Sequence, residues 1–185
     1  RAIIDSSKLS EIFATQVKRS YVPVTPGVVA TSITADGEGK VLFHWKARKV
    51  KIRIVLNKRK REVEFACPDL LVEIKSNRNG WDGVVRCFAF KGKLNSQTKL
   101  YVAPMPNVGS NGTVCMGNVT ASSMRRSEVN DYFEAVWMKS DFAAHYMRAP
   151  LAENTKYKDV LELLAKSKGK IQLKELREVG TYGEM

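Results

Sequence analysis

Seven short apolar runs separated by turn residues fill residues 28–102, and they constrain the fold more than any other feature of the chain. The runs predict strands at residues 28–33, 41–45, 50–54, 63–66, 70–74, 84–90 and 98–102. In the third run, Val50, Ile52 and Ile54 alternate with basic residues, which indicates a half-buried strand with a basic solvent face. Turn residues such as Asn79-Gly80 punctuate the series. We therefore predict an antiparallel β-meander.

Helical periodicity occurs on both sides of the strand region. Residues 6–19 predict an N-terminal helix with its apolar positions on one face. After the strands, residues 127–139 predict a helix whose apolar stripe faces the sheet, and residues 156–166 predict a second one. The tail from Lys170 is expected to form a late strand or to be partly mobile. This order of elements is that of an α+β protein.

Length and composition indicate one globular domain. The chain has 185 residues, 44% of them hydrophobic and 27% charged. We predict a single domain over residues 1–185, with a core at about residues 26–147 and a C-terminal helix and tail at residues 150–185. Three cysteines without paired spacing argue against a disulfide framework and favour the cytoplasm. No apolar run approaches the roughly 20 residues of a membrane helix, so no membrane association is expected.

The net charge of +12 is unusual for a chain of this size and suggests an acidic partner. Residues 46–61 contain nine basic side chains and no acidic one. They are Lys46, Arg48, Lys49, Lys51, Arg53, Lys58, Arg59, Lys60 and Arg61. Such a segment predicts a docking surface for an acidic protein patch or for nucleic acid.

The segment at residues 101–118 carries the chemistry. It reads YVAPMPNVGSNGTVCMGN and holds Pro106-Asn107, an Asn111-Gly112 pair and Cys115, which comes eight residues after Asn107. An Asn-Gly pair between short apolar runs predicts a two-residue hairpin turn, which would fix the distance between the amide and the thiol. A thiolate can carry an acyl group, and an amide N–H can donate to the oxygen that becomes negative. This pairing predicts acyl transfer.

This segment resembles the active-site segment of ubiquitin-conjugating enzymes, in which His-Pro-Asn precedes the acceptor cysteine by the same spacing. The chain has Met105-Pro106-Asn107, so methionine replaces a histidine that supports the loop, and it ends the run with Gly112-Thr113-Val114-Cys115. The whole chain is more similar to the bacterial ubiquitin-conjugating-like proteins, including those of PRTRC plasmid systems. They share this run and a later Trp-x-x-Ser-x-Phe-x-x-His pattern, which begins here at Trp137.

The resemblance implies the ubiquitin-conjugating fold and a function in ubiquitin-like conjugation. Cys115 would accept the C-terminus of a ubiquitin-like modifier as a thioester and pass it to an amine on a target protein. Asn107 would donate to the oxyanion. The implied partners are an activating, adenylating enzyme, the modifier and the target. The sequence shows no metal-ligand set and no phosphate-binding glycine loop, so no cofactor is expected at this site.

Further residues are candidates for assisting the attack of the amine. Asp141 and His145 lie in the downstream window in which the resembled enzymes place such a residue, and His145 titrates near neutrality. Asn118 is a weaker candidate that could shape the loop. Cys67 and Cys87 are interpreted as core thiols.

Three other functions are open at the level of sequence. A nucleic-acid-binding module could use the basic segment at residues 46–61, with Phe43, Trp45 and Phe65 available for stacking. A non-catalytic ubiquitin-conjugating-like scaffold would keep the fold without the chemistry. A cysteine hydrolase would require a base partnered to Cys115, and none is near it in the sequence.

Overall fold

Strands dominate the computed structural model, which describes residues 27–33, 39–77, 80–116, 129–167 and 170–185. The strands are β1 (Val28–Ile33), β2 (Gly39–Trp45), β3 (Arg48–Leu56), β4 (Arg59–Cys67), β5 (Asp69–Asn77), β6 (Gly80–Phe90), β7 (Lys99–Val102), β8 (Asp141–Ala143) and β9 (Glu178–Thr181). All seven predicted strands are confirmed, and β9 confirms the late strand. The sequence did not predict β8. The predicted N-terminal helix at residues 6–19 lies outside the described residues.

Six strands form one antiparallel sheet in the order β1-β2-β5-β6-β7-β9. The predicted meander is wrong at two junctions, because β2 does not pair with β3 and β4 does not pair with β5; β2 pairs with β5 instead. The register places Trp45 opposite Leu70, so the chain leaves the sheet after β2 and re-enters it at β5. Asp69 secures this junction, since its Oδ1 lies 2.7 Å from His44 Nε2 and accepts a hydrogen bond from the Ala47 amide at 3.1 Å.

The excluded strands β3 and β4 form a second sheet in the order β4-β3-β8. β3 pairs with β4 antiparallel and with β8 parallel. Alternation along β3 buries Ile52 and Ile54 completely and leaves Lys51 and Arg53 exposed. The apolar face of β3 therefore packs against the core, and its basic face remains in solvent.

Two α-helices are present in the described part of the chain, together with short 3₁₀ helices at Leu173–Glu175 and Tyr182–Glu184. Helix α1 (Val129–Tyr132) continues into a π-helical stretch (Phe133–Met138), which confirms the predicted helix except at residues 127–128, outside the described residues. Helix α2 (Val160–Lys166) begins four residues later than predicted. The side chain of Asp159 accepts the Glu162 amide at 2.8 Å, and that of Glu162 accepts the Lys158 amide at 2.7 Å. This reciprocal cap fixes the helix start at Val160.

The hydrophobic core lies on one face of the six-stranded sheet. Alternation along β5 places Leu70, Val72 and Ile74 in this core, where they meet buried side chains of the second sheet and of both helices. The opposite face of the sheet has a smaller apolar cluster that includes Leu71 and Phe88. The structure is therefore a mixed, sheet-rich α+β protein with few helices.

Candidate active site

Cys115 follows a short hairpin that leaves the end of β7. Val108 and Val114 form an antiparallel bridge, and the Gly109 amide donates to the Thr113 carbonyl at 2.8 Å. The hairpin is confirmed, but the two-residue turn at Asn111-Gly112 is wrong. The Gly112 amide bonds to the Gly109 carbonyl at 2.9 Å, so the turn lies one residue earlier, and Gly112 follows it with φ +83°. Glycine is required there because it adopts this left-handed conformation without strain.

The second arm of the hairpin is bonded to the main sheet through β6. The Cys87 amide donates to the Gly112 carbonyl, and the Val114 amide donates to the Val85 carbonyl, both at 2.9 Å. The pairing between β5 and β6 shifts register at Val85, which is the extra residue on β6. Bulges of this kind redirect backbone groups, and here the Val85 carbonyl serves the hairpin rather than β5. The segment that leads into Cys115 is therefore held as part of the sheet.

Asn107 bonds to both backbone groups of Cys115. The Cys115 amide donates to the Asn107 carbonyl at 2.9 Å, and Asn107 Nδ2 donates to the Cys115 carbonyl at 3.0 Å. Asn107 is only 4% exposed, whereas Cys115 is half-buried. The geometry fixes the backbone of Cys115 and leaves its thiol within reach of solvent. Asn107 Oδ1 has no hydrogen-bond partner among the described residues.

The first arm of the hairpin rests on an apolar support. Met105, which stands where the eukaryotic enzymes have histidine, is fully buried in the main core. Its carbonyl accepts the Val108 amide at 3.2 Å. A methionine can support the loop by packing, because its flexible apolar side chain adapts to the available space.

The chain returns to this loop after β8. The Tyr146 amide donates to the Pro106 carbonyl at 2.8 Å, so the residue after His145 is bonded to the residue that precedes Asn107. His145 is exposed, and its side chain makes no hydrogen bond or ion pair within the described part of the chain. Sequence reasoning missed Tyr146, and its position beside His145 was the only signal for it.

Asp141 lies on β8 and forms ion pairs with basic side chains of the second sheet. Its carboxylate contacts Lys60 Nζ at 2.7 Å and Arg53 Nε at 3.1 Å. The hydrogen bond from Lys60 and the two positive charges hold the pKa of Asp141 below its usual value. The structure thus gives Asp141 a role in joining β8 to the hairpin β3–β4, and its part in catalysis stays a prediction.

A buried ion pair lies beside the arm that carries Cys115. Glu73 is 3% exposed, and its carboxylate accepts Arg86 Nε at 2.5 Å and lies 2.9 Å from Lys40 Nζ. Burial acts to raise the pKa of Glu73, but the hydrogen bonds and charges of Lys40 and Arg86 outweigh it, and the pKa lies below its usual value. Arg86 also forms a bridge with Thr113 of the arm. The sequence signal for this pair was a charged residue within each of two apolar strands.

The other two cysteines are core residues, as predicted. Cys67 and Cys87 are 2% and 0% exposed, and burial raises the pKa of both thiols. Buried thiols of high pKa are inert as nucleophiles. Cys115 is the one cysteine of the three that is not buried, and all three lie in the described part of the chain.

The structure also bears on the nucleic-acid interpretation. Phe43, Trp45 and Phe65 are 1–2% exposed and belong to the main core, so they are not available for the stacking that this alternative would use. The basic segment itself is exposed along β3 and β4. Asn118, the weaker loop candidate, lies outside the described residues.

The site is a partly exposed cysteine on a fixed hairpin, and the asparagine eight residues before it holds its backbone. The resemblance to ubiquitin-conjugating enzymes predicts this arrangement. A sequence model of the prokaryotic E2 family D matches residues 7–176, which is most of the chain. The chain belongs to prokaryotic E2 family D. Membership of this family indicates ubiquitin-like conjugation and transferase chemistry, with partners such as a modifier and an activating enzyme.

No curated protein and no solved structure matches the chain. Neither helix in the described ranges has the length and apolar composition that crossing a membrane requires.

Proposed function

We propose that this E2 family D protein carries a ubiquitin-like modifier as a thioester on Cys115 and transfers it to an amine of a target protein. The observation that supports the proposal most is that Cys115 has a fixed backbone and a side chain that is not buried. Hydrogen bonds to Asn107 fix its backbone, while its side chain is the only cysteine side chain of the three that is not buried. A packed core thiol has the opposite environment, as Cys87 illustrates.

The proposed reaction has two acyl-transfer steps. The thiolate of Cys115 attacks the modifier's C-terminal carbonyl, which the activating enzyme presents as a thioester; a new C–S bond forms, and the activating enzyme's thiolate leaves. A neutral amine of the target then attacks the carbonyl. The C–N bond forms, the bond to Cys115 Sγ breaks, and the amine loses a proton. Each step passes through a tetrahedral oxyanion.

Asn107 can serve both the loop and the oxyanion. Its carboxamide nitrogen has two N–H donors, and one of them bonds to the Cys115 carbonyl. We assign the second donor to the oxyanion. The loop-shaping role and the catalytic role therefore need not compete for the same hydrogen.

His145 fits the base for the amine better than Asp141 does. The Tyr146–Pro106 hydrogen bond holds the residue after His145 against the active-site loop. Asp141 would first have to leave two ion pairs, whereas the imidazole of His145 can accept a proton and is unpaired among the described residues. Single-turnover discharge to free lysine tests this assignment. We expect a slower rate in His145→Ala than in Asp141→Ala, and equal, unchanged rates would remove both residues from the mechanism.

The basic hairpin β3–β4 is the proposed docking surface for an acidic patch on a partner. Lys51, Arg53 and Lys60 pair with acidic side chains of the same chain. Lys46, Lys49, Lys58, Arg59 and Arg61 have no ion pair within the described residues. Charge reversal at Lys58 and Arg59 should slow loading and leave the alkylation rate of Cys115 unchanged. The same surface is what the alternative of a nucleic-acid-binding module would use. The cytoplasmic assignment likewise stays a prediction.

Thioester loading tests the proposal directly. The protein is mixed with the activating enzyme and ubiquitin-like protein encoded beside it and with ATP, then examined on non-reducing gels and by intact mass. We expect an adduct that reductant removes, that is absent in Cys115→Ala, and that becomes reductant-resistant in Cys115→Ser because an oxygen ester replaces the thioester. If the activating enzyme becomes charged and no adduct forms, the protein is a scaffold or a nucleic-acid binder instead.

A further inference from the structure

A lysine-lined cleft lies at the end of the main sheet that is remote from Cys115. It has a volume of about 870 Å³, and the described residues that line it include five lysines and no acidic residue. The lysines are Lys91, Lys93, Lys99, Lys170 and Lys174. The cysteine arm pairs with residues 85–87 in the middle of β6 and runs from there toward the start of this strand, whereas the cleft begins at Lys91, just beyond its last residue. The cleft is therefore separate from the candidate active site.

Both walls of the cleft are fixed by the fold. The wall at residues 91–98 is an ordered turn, in which Thr98 Oγ1 donates to the Lys93 carbonyl and accepts the Asn95 amide. The C-terminal segment holds this wall from behind, since the Gly183 amide donates to the Ser96 carbonyl at 3.0 Å. The opposite wall at residues 170–174 is anchored by Ile171 and Leu173, which pack against the main core. The lysines thus project from a preformed cleft.

Four of the five lysines of this cleft have no ion-pair partner among the residues that the structure describes. Lys99 pairs with Glu178 of β9 at 3.0 Å. The other four make no ion pair within the described residues, and all five are exposed. A cleft lined by charges of one sign raises the local concentration of groups of the opposite charge. This asymmetry calls for an acidic occupant.

We propose that this cleft binds an acidic, extended peptide segment of a partner protein. The side-chain amides of Gln97 and Gln172 also line it, and they can donate to and accept from a peptide backbone. Tyr101 is the one aromatic residue among the lining residues, whereas grooves for single-stranded nucleic acid present several stacking platforms. The 26 residues that precede the described part contain four basic and two acidic side chains, so they do not complement the cleft.

The test measures binding of fluorescein-labelled hexaglutamate by fluorescence anisotropy at several NaCl concentrations. The cleft variant carries Lys93→Gln, Lys170→Gln and Lys174→Gln. The control carries Lys75→Gln, Lys139→Gln and Lys158→Gln, which lie outside both the cleft and the basic segment at residues 46–61, and it removes the same net charge. We expect the cleft variant to bind at least about tenfold more weakly and the control to stay within about twofold, because screened charges act mainly over short distances.

Three outcomes would overturn the proposal. Equal losses in the two variants would mean that the peptide senses only net charge, and absence of binding at low salt would mean that the cleft takes no acidic peptide. Tighter, cleft-dependent binding of a labelled ten-nucleotide oligo(dT) would assign the cleft to nucleic acid. Equal thermal midpoints of the variants verify the fold. Because Cys115→Ala should bind the peptide like the wild type, the result is independent of whether the protein forms a thioester.

Discussion

Asn107 contacts Cys115 at both of its backbone groups, so its removal should affect both the loop and the reaction. We predict that Asn107→Ala lowers the rate of thioester discharge by roughly 10²–10³, the usual effect of losing an oxyanion donor. Single-turnover discharge of the preloaded protein measures this rate. Discharge at the wild-type rate would leave Asn107 with a structural role alone.

Asn111 provides the matched control for this experiment. It lies in the same hairpin, is exposed, and uses Oδ1 to accept the Thr113 amide at 3.1 Å. Asn111→Ala removes a similar side chain and a similar local hydrogen bond without touching Cys115. Its discharge rate should stay within about threefold of the wild type, because surface substitutions have small effects.

Gly112 is constrained in two separate ways. Its φ of +83° strains any other residue, and a Cβ at this position would overlap the ring of Phe88 in the smaller apolar cluster. Gly112→Ala should therefore lower the free energy of unfolding by about 2–4 kcal/mol. Gly92 has a similar φ of +87°, but a Cβ added there would meet no atom within 4 Å. Gly92→Ala should therefore lower the free energy of unfolding by only about 1 kcal/mol. Urea unfolding measures the stability of both variants. If Gly112→Ala and Gly92→Ala lost the same free energy of unfolding, the predicted overlap with Phe88 would be contradicted.

The hairpin β3–β4 contains backbone strain at its tip. Asn57 and Lys58 form its two-residue turn with φ of 50° and 61°, and lysine is disfavoured in this left-handed conformation. We predict that Lys58→Gly raises the free energy of unfolding by about 0.5–1 kcal/mol. Asn57→Gly should change it by only a few tenths of a kcal/mol, since asparagine tolerates this conformation. Midpoints of denaturant unfolding measure both effects. If Lys58→Gly unfolded at a lower denaturant concentration than the wild type, Lys58 would not be strained in the turn.

Strand positions were predictable from the sequence, but strand partners were not. Alternation and turn residues located all seven strands of residues 28–102, because each signal lies within the strand itself. No sequence pattern within a strand indicates that β2 pairs with β5, or that β8 pairs parallel with β3. Those choices depend on contacts between residues far apart in the chain, such as the one between Asp69 and His44.

The candidate site was predictable to a similar degree. The spacing of Asn107 and Cys115 indicated their proximity because a hairpin joins them. The bond between Tyr146 and Pro106 and the position of Arg86 opposite Thr113 were not visible, since neither pair shares a local pattern. The sequence thus located the cysteine loop, and the tertiary structure supplied its supports.

Acid stability at the scale of the whole molecule should depend on Glu73, which links β2, β5 and β6. The folded state lowers the pKa of Glu73, so the stability from this group is present above its unfolded pKa of about 4.5 and is lost as the pH falls through the lower folded value. We predict that Glu73→Gln is destabilised by about 1–3 kcal/mol at pH 7 and depends less on pH below 5 than the wild type.

Glu62 supplies the control for this prediction. It is 53% exposed and pairs with Lys51 on the surface of the second sheet. Glu62→Gln removes the same charge, and its stability should stay within about 0.5 kcal/mol of the wild type at every pH. Urea unfolding from pH 3 to pH 7 gives both profiles. If Glu73→Gln and Glu62→Gln gave the same profile, the buried pair would not be the source of the acid sensitivity.

The arm that leads to Cys115 also covers an edge of the main sheet. β7 is four residues long and β6 is eleven, so β7 pairs with only part of β6, and the arm takes up backbone groups of Val85 and Cys87. An uncovered strand edge invites pairing with other chains. A substitution in this short arm would therefore act on two properties at once, the position of Cys115 and the exposure of a strand edge that could pair with a neighbouring molecule.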